Sequence, residues 1–125
     1  EFSGVATSGA FDQSTVAAPD GVGTGANALT TGASGTRTQA DEVIVGCGVL
    51  TDTGAAGYTA GTGYTEVDEL TNVDLEMEYS VKSATGTDAA TWTLSSGGEN
   101  VAVLLGTFKA ATADQTFGFY QRRPQ

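Results

Sequence analysis

The sequence contains no histidine, and among its 125 residues are only one cysteine, two prolines and five basic side chains. Without histidine there is no imidazole to activate a serine or cysteine nucleophile or to bind a metal ion. The single cysteine, Cys47, excludes an internal disulfide and a cysteine-rich zinc site. No Gly-x-Ser-x-Gly elbow is present, so no serine is a credible nucleophile. The sequence therefore predicts no enzyme and no cofactor.

Acidic residues outnumber basic ones: the sequence has 15 acidic and 5 basic residues, which give a formal net charge of −10 at pH 7. A nucleic-acid backbone is bound by clustered Lys and Arg side chains that displace counterions, and this chain has few of either. It also lacks an apolar run of about 18 residues, the length that a membrane-spanning helix needs. We therefore expect no nucleic-acid partner and no membrane insertion.

Small residues dominate the composition, with 20 Thr and 18 Gly. Both types disfavour helix interiors, and apolar residues nowhere follow a convincing helical period. Alternation with period two is instead unbroken over residues 73–82, which predicts an antiparallel strand with one face on the core and the other in water. The core face is expected to hold Val73, Leu75, Met77, Tyr79 and Val81, and the water face Asp74, Glu76, Glu78, Ser80 and Lys82.

Further strands are predicted between glycine-rich turns, and such spacing is typical of a two-sheet sandwich. We expect residues 7–28 to form a surface loop, with at most a short strand near Thr15. Cys47 is expected to be a small buried residue, Gly46 and Gly48 to allow close approach of a neighbouring layer, and Trp92 to lie in the core. The other predicted strands are residues 2–5, 27–31, 41–50, 64–69, 91–94 and 101–108.

Two sets of aromatic side chains are candidates for recognition. Tyr58 and Tyr64 lie near glycines in predicted loops, where a ring could stack on a sugar or enter a partner's pocket, although Tyr64 could equally pack inward. The C-terminal segment, residues 110–125, is too apolar for an idle tail. We predict that it makes a subunit contact through Phe117, Phe119, Tyr120, Arg122 and Arg123.

The acidic row of Asp74, Glu76 and Glu78 is the densest charge feature of a strand. Carboxylates in such a row could bind a cation or act as a catalytic pair, but a catalytic acid normally needs a desolvated carboxyl group. The favoured interpretation is a solvated acidic face, which Arg122 and Arg123 of another copy could contact.

A series of short segments follows a recognisable order along the chain. They are FSGV at 2–5, FD at 11–12, EVIVG at 42–46, GTGYT at 61–65, EYSV at 78–81, SATGT at 83–87, WTLSS at 92–96 and VAVLLGTFK at 101–109. This order resembles the C-terminal half of jelly-roll or lectin-like β-sandwich modules of bacteriophage tail-fibre and other virion proteins, and of large secreted bacterial surface proteins. The resemblance implies an all-β, antiparallel jelly-roll sandwich over residues 1–109, followed by the extension 110–125. It also implies that further N-terminal strands come from elsewhere in the polypeptide or from a neighbouring subunit.

The resemblance implies a non-enzymatic structural module of a virion, such as a tail-fibre, spike or capsid-decoration component. Its expected partners are other copies of itself or other virion proteins, and its expected location is extracellular or in a virion. Two alternatives remain open. One is a module of a secreted surface protein that binds a cell-surface glycan through Tyr58 and Tyr64, and the other is a subunit of a self-assembling extracellular filament.

Overall fold

The computed structural model describes residues 4–17, 28–50, 58–70, 75–94 and 101–111. These residues form strands, turns and extended segments without a helix, as the composition predicts. The described residues consequently contain no helix long and apolar enough to cross a membrane. The strands are β1 (Phe11–Ala17), β2 (Ala28–Thr30), β3 (Asp41–Leu50), β4 (Tyr58–Ala60), β5 (Thr65–Leu70), β6 (Leu75–Ser83), β7 (Thr91–Leu94) and β8 (Val101–Lys109).

The eight strands form two antiparallel sheets. The large sheet has the order β1-β8-β3-β6-β5, and the small sheet has the order β2-β7-β4. Up to β5 the chain alternates between the two sheets, and it does so again from β6 through β7 to β8. One hydrophobic core joins the sheets: Leu29, Trp92 and Leu94 of the small sheet pack with Ile44 and Leu105 of the large one. The prediction of an all-β, two-sheet sandwich is therefore confirmed.

Most strands lie where the sequence predicts them. The predicted strand 41–50 is β3, with the same bounds, and it lies between β6 and β8 as the central strand of the large sheet. Two predictions need correction: the short strand expected near Thr15 is the seven-residue strand β1, Phe11–Ala17, and Tyr58 begins β4 instead of lying in a loop. Of the predicted strand 2–5, the described residue Val5 makes an isolated antiparallel bridge with Ala110.

The two sheets approach each other closely at Gly46. A Cβ atom at this position would lie 2.6 Å from Ala90 Cβ, 3.1 Å from Trp92 Cζ2 and 3.2 Å from Glu78 Cγ. Trp92 is buried in the core. The expected roles of Gly46 and Trp92 are thus confirmed, whereas a Cβ at Gly48 would make only an ordinary contact with Val103.

The orientation of β6 is the reverse of the predicted one. Glu76 and Glu78 are fully buried between the sheets, with exposed fractions of 0%, and Ser80 is also buried. Val81, expected in the core, is 72% exposed on the outer face. Alternation separates two faces but does not say which one the other sheet covers, and Gly46 leaves room for Glu78 on the covered side. The predicted solvated acidic face is therefore wrong for Glu76 and Glu78, while Asp74 lies outside the described residues.

An extended segment after β2 continues the pairing of the small sheet. The backbone N–H groups of Thr31, Ser34 and Arg37 donate to the carbonyl oxygens of Ala90, Asp88 and Gly86. The hydroxyl groups of Thr31 and Ser34 in turn accept from the N–H groups of Ala90 and Asp88. These bonds satisfy backbone groups that would otherwise be buried without partners, and they place Arg37 beside Asp88.

Candidate functional site

Glu78 links three strands from inside the sandwich. Its carboxylate accepts hydrogen bonds from the backbone N–H groups of Gly61 at 2.8 Å and Thr91 at 3.1 Å. Burial raises the pKa of Glu78, and these two hydrogen bonds only partly oppose that effect. The Glu78 carboxyl group is therefore enclosed between the sheets and bonded within its own chain, so it does not face a partner. The predicted contact of Arg122 and Arg123 from another copy with this acid is wrong for the same reason.

A second buried polar cluster surrounds Asp88. The Nε atom of Arg37 donates to Asp88 Oδ2 at 2.6 Å, and the two side chains are 4% and 7% exposed. Lys82 Nζ lies 3.9 Å from Asp88 Oδ1 and 5.5 Å from the centre of the Tyr64 ring. Asp88 therefore has a buried basic partner in Arg37 and a second, partly exposed one in Lys82, and these contacts fix the segment that follows β2.

Tyr58 and Tyr64, the candidate glycan contacts, are both half-buried and packed against the core. Burial, together with the carboxylates of Asp88 and Glu78, raises the pKa of the Tyr64 hydroxyl well above its ordinary value. The inward packing of Tyr64 is the alternative that the sequence left open. Sugar binding stays a prediction, and a glycan array comparing the chain with Tyr64→Ala tests it.

Three charged side chains meet where β1, β8 and β3 lie side by side. Lys109 Nζ is 3.1 Å from Asp12 Oδ1. Thr38 holds the same carboxylate from the other side, with its N–H 2.6 Å from Oδ2 and its hydroxyl 2.7 Å from Oδ1. Glu42 stands directly opposite Lys109 in the pairing of β3 with β8, and it is only 2% exposed.

The two carboxyl groups of this cluster have opposite protonation preferences. Burial acts to raise the pKa of Asp12, but hydrogen bonding from Thr38, Glu42 and Lys109 outweighs burial and holds this pKa far below its usual range. Burial raises the pKa of Glu42, and the adjacent Asp12 carboxylate adds to the rise. Neither oxygen of Glu42 has a well-formed hydrogen bond, although Thr107 and Asp12 are near enough to influence its pKa. The arrangement therefore places a carboxyl group with a raised pKa beside an ion pair.

The outer face of the three central strands of the large sheet, β8, β3 and β6, is apolar. Every outward residue is uncharged over 43–49 of β3, 75–81 of β6 and 102–108 of β8. Cys47 is among them and is only half-buried, so the expected buried position is not confirmed, although burial still raises the pKa of its thiol. Several large side chains on the outer face of the large sheet are exposed to solvent: Phe11, Val16, Val49, Val81 and Leu104.

The outer face of the small sheet differs sharply from that of the large one. It presents the hydroxyl-bearing side chains of Thr30, Thr59, Thr91 and Thr93, while Leu29 and Trp92 point into the core. One outer surface of the sandwich is therefore polar and the other apolar, as expected when only the second meets a partner.

A cavity of about 430 Å³ opens at one end of the apolar face. Its apolar wall includes Val5, Val43, Val81 and Phe108, and its rim includes the exposed residue Asp41. Ala110 also lines it, and the N–H of the next residue, Ala111, donates to the carbonyl oxygen of Gly4. The described chain thus ends beside the cavity.

Among the described residues, no three His, Cys, Asp or Glu side chains come together in a way that could hold a metal ion. Comparisons with protein-family models, with curated proteins and with solved structures gave no match. The sequence indicated neither the Asp12 cluster nor the apolar outer face. The cluster depends on long-range strand order, and the apolar face depends on which side of β6 is covered.

Proposed function

We propose that the chain is a non-enzymatic structural module that assembles with other copies of itself through the apolar outer face of the large sheet. The observation that carries this proposal is the row of exposed apolar side chains on that face, including Val16 at 73% and Val81 at 72% exposed. Large contiguous apolar patches on protein surfaces mark interaction sites. A chain of net charge −10 would be repelled by its own copy at most surfaces, whereas the uncharged residues of this face avoid that repulsion.

The proposed occupant of the face is the C-terminal segment, residues 112–125, of a second copy. This segment lies outside the described residues, but it follows directly from Ala111, which is next to the apolar cavity. Its sequence includes Phe117, Phe119 and Tyr120, and aromatic side chains bury a large apolar area at interfaces. Residues of this kind match a cavity with an apolar wall.

Charge adds a second element of complementarity. Arg122 and Arg123 follow the aromatic residues, and Asp41 is exposed at the rim of the cavity. Asp41 therefore replaces the buried Glu76 and Glu78 as the proposed partner of the two arginines. An exposed pair of this kind contributes little free energy, about 0 to 1 kcal/mol, so its main effect is on orientation.

We further propose that the sandwich is a jelly roll and that its setting is extracellular or a virion, as a tail-fibre, spike or capsid-decoration component. The strand order supports the fold: β1-β8-β3-β6 in one sheet and β2-β7-β4 in the other is the order that two Greek keys produce. Strand β5 pairs with β6 and also contacts β4, at the edge where the sheets meet. The setting follows from the sequence resemblance.

The first experiment measures the molar mass of the full chain and of a variant lacking residues 112–125 by light scattering. We expect the full chain to be oligomeric and the truncated chain to be monomeric with an unchanged β-sheet circular dichroism spectrum. A mass that grows without limit with concentration would indicate the filament alternative, and a fixed mass a closed oligomer. Equal masses for the two chains would overturn the C-terminal segment as the occupant.

Matched substitutions test the face itself. Val81→Lys places a charge on the apolar face, and Thr59→Lys places one on the polar face of the small sheet, where the side chain is also exposed. We expect only Val81→Lys to reduce the oligomer mass. If the full chain is a monomer and truncation instead increases binding of a hydrophobic dye, the segment covers the face of its own chain, and the proposal of a second copy fails.

A further inference from the structure

The order of strands in the large sheet brings a lysine, an aspartate and a glutamate together from three separate parts of the chain. Strand β8 lies between β1 and β3, so Lys109 has Asp12 on one side and Glu42 on the other. Its Nζ atom is 3.1 Å from Asp12 Oδ1. Glu42 is its direct cross-strand partner, and such partners have Cβ atoms about 5 Å apart.

We propose that Lys109 and Asp12 form an intramolecular amide bond between β8 and β1, with Glu42 as the group that transfers the proton. The bond would be an autocatalytic modification of the folded chain, and it needs no second protein. It is independent of the proposed assembly, because the three residues lie on the inner side of the sheet and not on its apolar outer face.

The reaction is a condensation that releases one water molecule. A proton first passes from the Lys109 ammonium group to the Asp12 carboxylate, which leaves a neutral amine and a neutral carboxylic acid. The amine nitrogen then attacks Asp12 Cγ, a C–N bond forms, and the carbonyl electron pair moves onto Oδ2. The tetrahedral intermediate loses a proton from nitrogen and gains one on Oδ1, the C–O bond breaks, and water leaves. No oxidant, reductant or other co-reactant is required.

The neighbouring groups suit the steps that follow the first proton transfer, which is itself opposed by the contacts that hold the pKa of Asp12 low. Thr38 N–H, 2.6 Å from Asp12 Oδ2, can stabilise the negative charge that develops on that oxygen. The Glu42 carboxyl group can donate a proton to the departing oxygen and accept one from nitrogen, with no net change in its own charge. Fixed proximity of amine and carboxyl raises their effective concentration enormously, which favours condensation over the separated groups in water.

The ion pair of Lys109 with Asp12 does not by itself explain why the Glu42 carboxyl group is buried beside it. A Lys–Asp pair with one partner 28% exposed is held by its own attraction, and a third buried acid adds nothing to that attraction. Burying a carboxyl group costs free energy, and neither oxygen of Glu42 has a well-formed hydrogen bond to offset this cost, although Asp12 and Thr107 are close enough to interact with it. A role in proton transfer would explain why the Glu42 carboxyl group is buried beside this ion pair.

Mass spectrometry of the intact, denatured chain tests the bond. We expect the wild-type chain to weigh one water molecule less than its sequence mass of 12.6 kDa. The variants Asp12→Ala, Lys109→Met and Glu42→Gln should each have the full mass of their own sequences. A folded wild-type chain that retains the full mass after prolonged incubation would overturn the proposal, and loss of water by Glu42→Gln would overturn the role of Glu42.

Two controls identify the bond. Lys82→Met removes the other half-buried lysine, which lies 3.9 Å from Asp88, and this variant should still lose water. Tryptic digestion should yield residues 1–37 joined to residues 83–122, because trypsin does not cleave after an acylated Lys109. Water lost within peptide 1–37 alone would instead indicate cyclisation at Asp20–Gly21, and that result would contradict the amide bond.

Discussion

Gly46 is the residue on which the spacing of the two sheets depends. Ala90, Trp92 and the stem of Glu78 all converge on the space that a side chain would occupy there. The same close approach explains how a large indole ring and a buried carboxylate fit into a core with few large apolar residues. A side chain at position 46 would therefore force the neighbouring side chains to move.

We predict that Gly46→Ala lowers the free energy of unfolding by about 1 to 3 kcal/mol, the usual cost of overpacking a core. Gly48→Ala is the matched control, because it lies on the same strand and the same face, and its Cβ would approach Val103 only to 3.5 Å. Urea unfolding followed by Trp92 fluorescence measures both. Equal effects of the two substitutions would contradict the close approach at Gly46.

Glu78 gives the fold a pH dependence whose sign follows from its raised pKa. The folded state disfavours ionisation, so the contribution of this group is most favourable below its ordinary value of 4.5 and declines as the pH rises through the folded pKa. Glutamine does not titrate, but its amide nitrogen cannot accept either of the N–H groups that the two carboxyl oxygens accept. We therefore predict that Glu78→Gln is less stable than wild type near pH 4 and that the difference between the two narrows as the pH rises to neutral.

Urea unfolding at a series of pH values between 4 and 8 measures this difference. Glu66→Gln, at an exposed position opposite Glu78 in the pairing of β5 with β6, is the matched control for the loss of one carboxyl group. If the Glu78→Gln curve is parallel to that of wild type, the ionised carboxylate is not disfavoured by the fold.

At the scale of elements, long apolar or alternating segments were predictable and short polar ones were not. Strand β3 is a continuous apolar run, and its bounds follow from the sequence alone. Strand β1 contains Gln13 and Ser14 in the region of an irregular register with β8, so its pairing depends on that distant strand. Strand β4 has only three residues, too few for a periodic signal.

The orientation of β6 could not have been predicted by polarity. Alternation identified two faces correctly, but burial of Glu78 is compensated by N–H groups from Gly61 and Thr91, which lie far from it in sequence. The apolar side chains of β6 consequently lie on the outer face of the sheet. The same long-range compensation explains why the candidate assembly face was missed.

We predict that cysteine reactivity reports the orientation of β6 directly. In a Cys47→Ser background, a thiol introduced by Val81→Cys on the outer face should react rapidly with an alkylating reagent in the native state. A thiol introduced by Ser80→Cys, on the inner side where Ser80 is buried, should react only after unfolding. Truncation of residues 112–125 keeps the measurement free of any assembly contact, and the reverse order of reactivity would show that the two faces are exchanged.

At the scale of the whole molecule, the proposed bond would join the first and last strands of the sandwich. Strand β1 is at the edge of the large sheet and pairs only with β8 there, so it is the strand most easily lost from that sheet. A link between Asp12 and Lys109 would hold that edge and would enclose all the intervening strands in one covalent loop.

The consequence is measurable as stability. In the chain-entropy model, a cross-link that closes a loop of about 100 residues stabilises the folded state by roughly 4 to 5 kcal/mol. Lys109→Met alone would also leave the Asp12 carboxylate, 4% exposed, without its basic partner, and breaking a buried pair in this way costs about 3 to 5 kcal/mol. We therefore predict that wild type exceeds the double variant Asp12→Ala/Lys109→Met, which removes both charges, by about the cross-link amount in urea unfolding. Lys82→Met, which leaves the link intact, controls for the loss of a lysine. A difference of only about 1 kcal/mol between wild type and the double variant would mean that β1 and β8 are held by hydrogen bonds and charge alone.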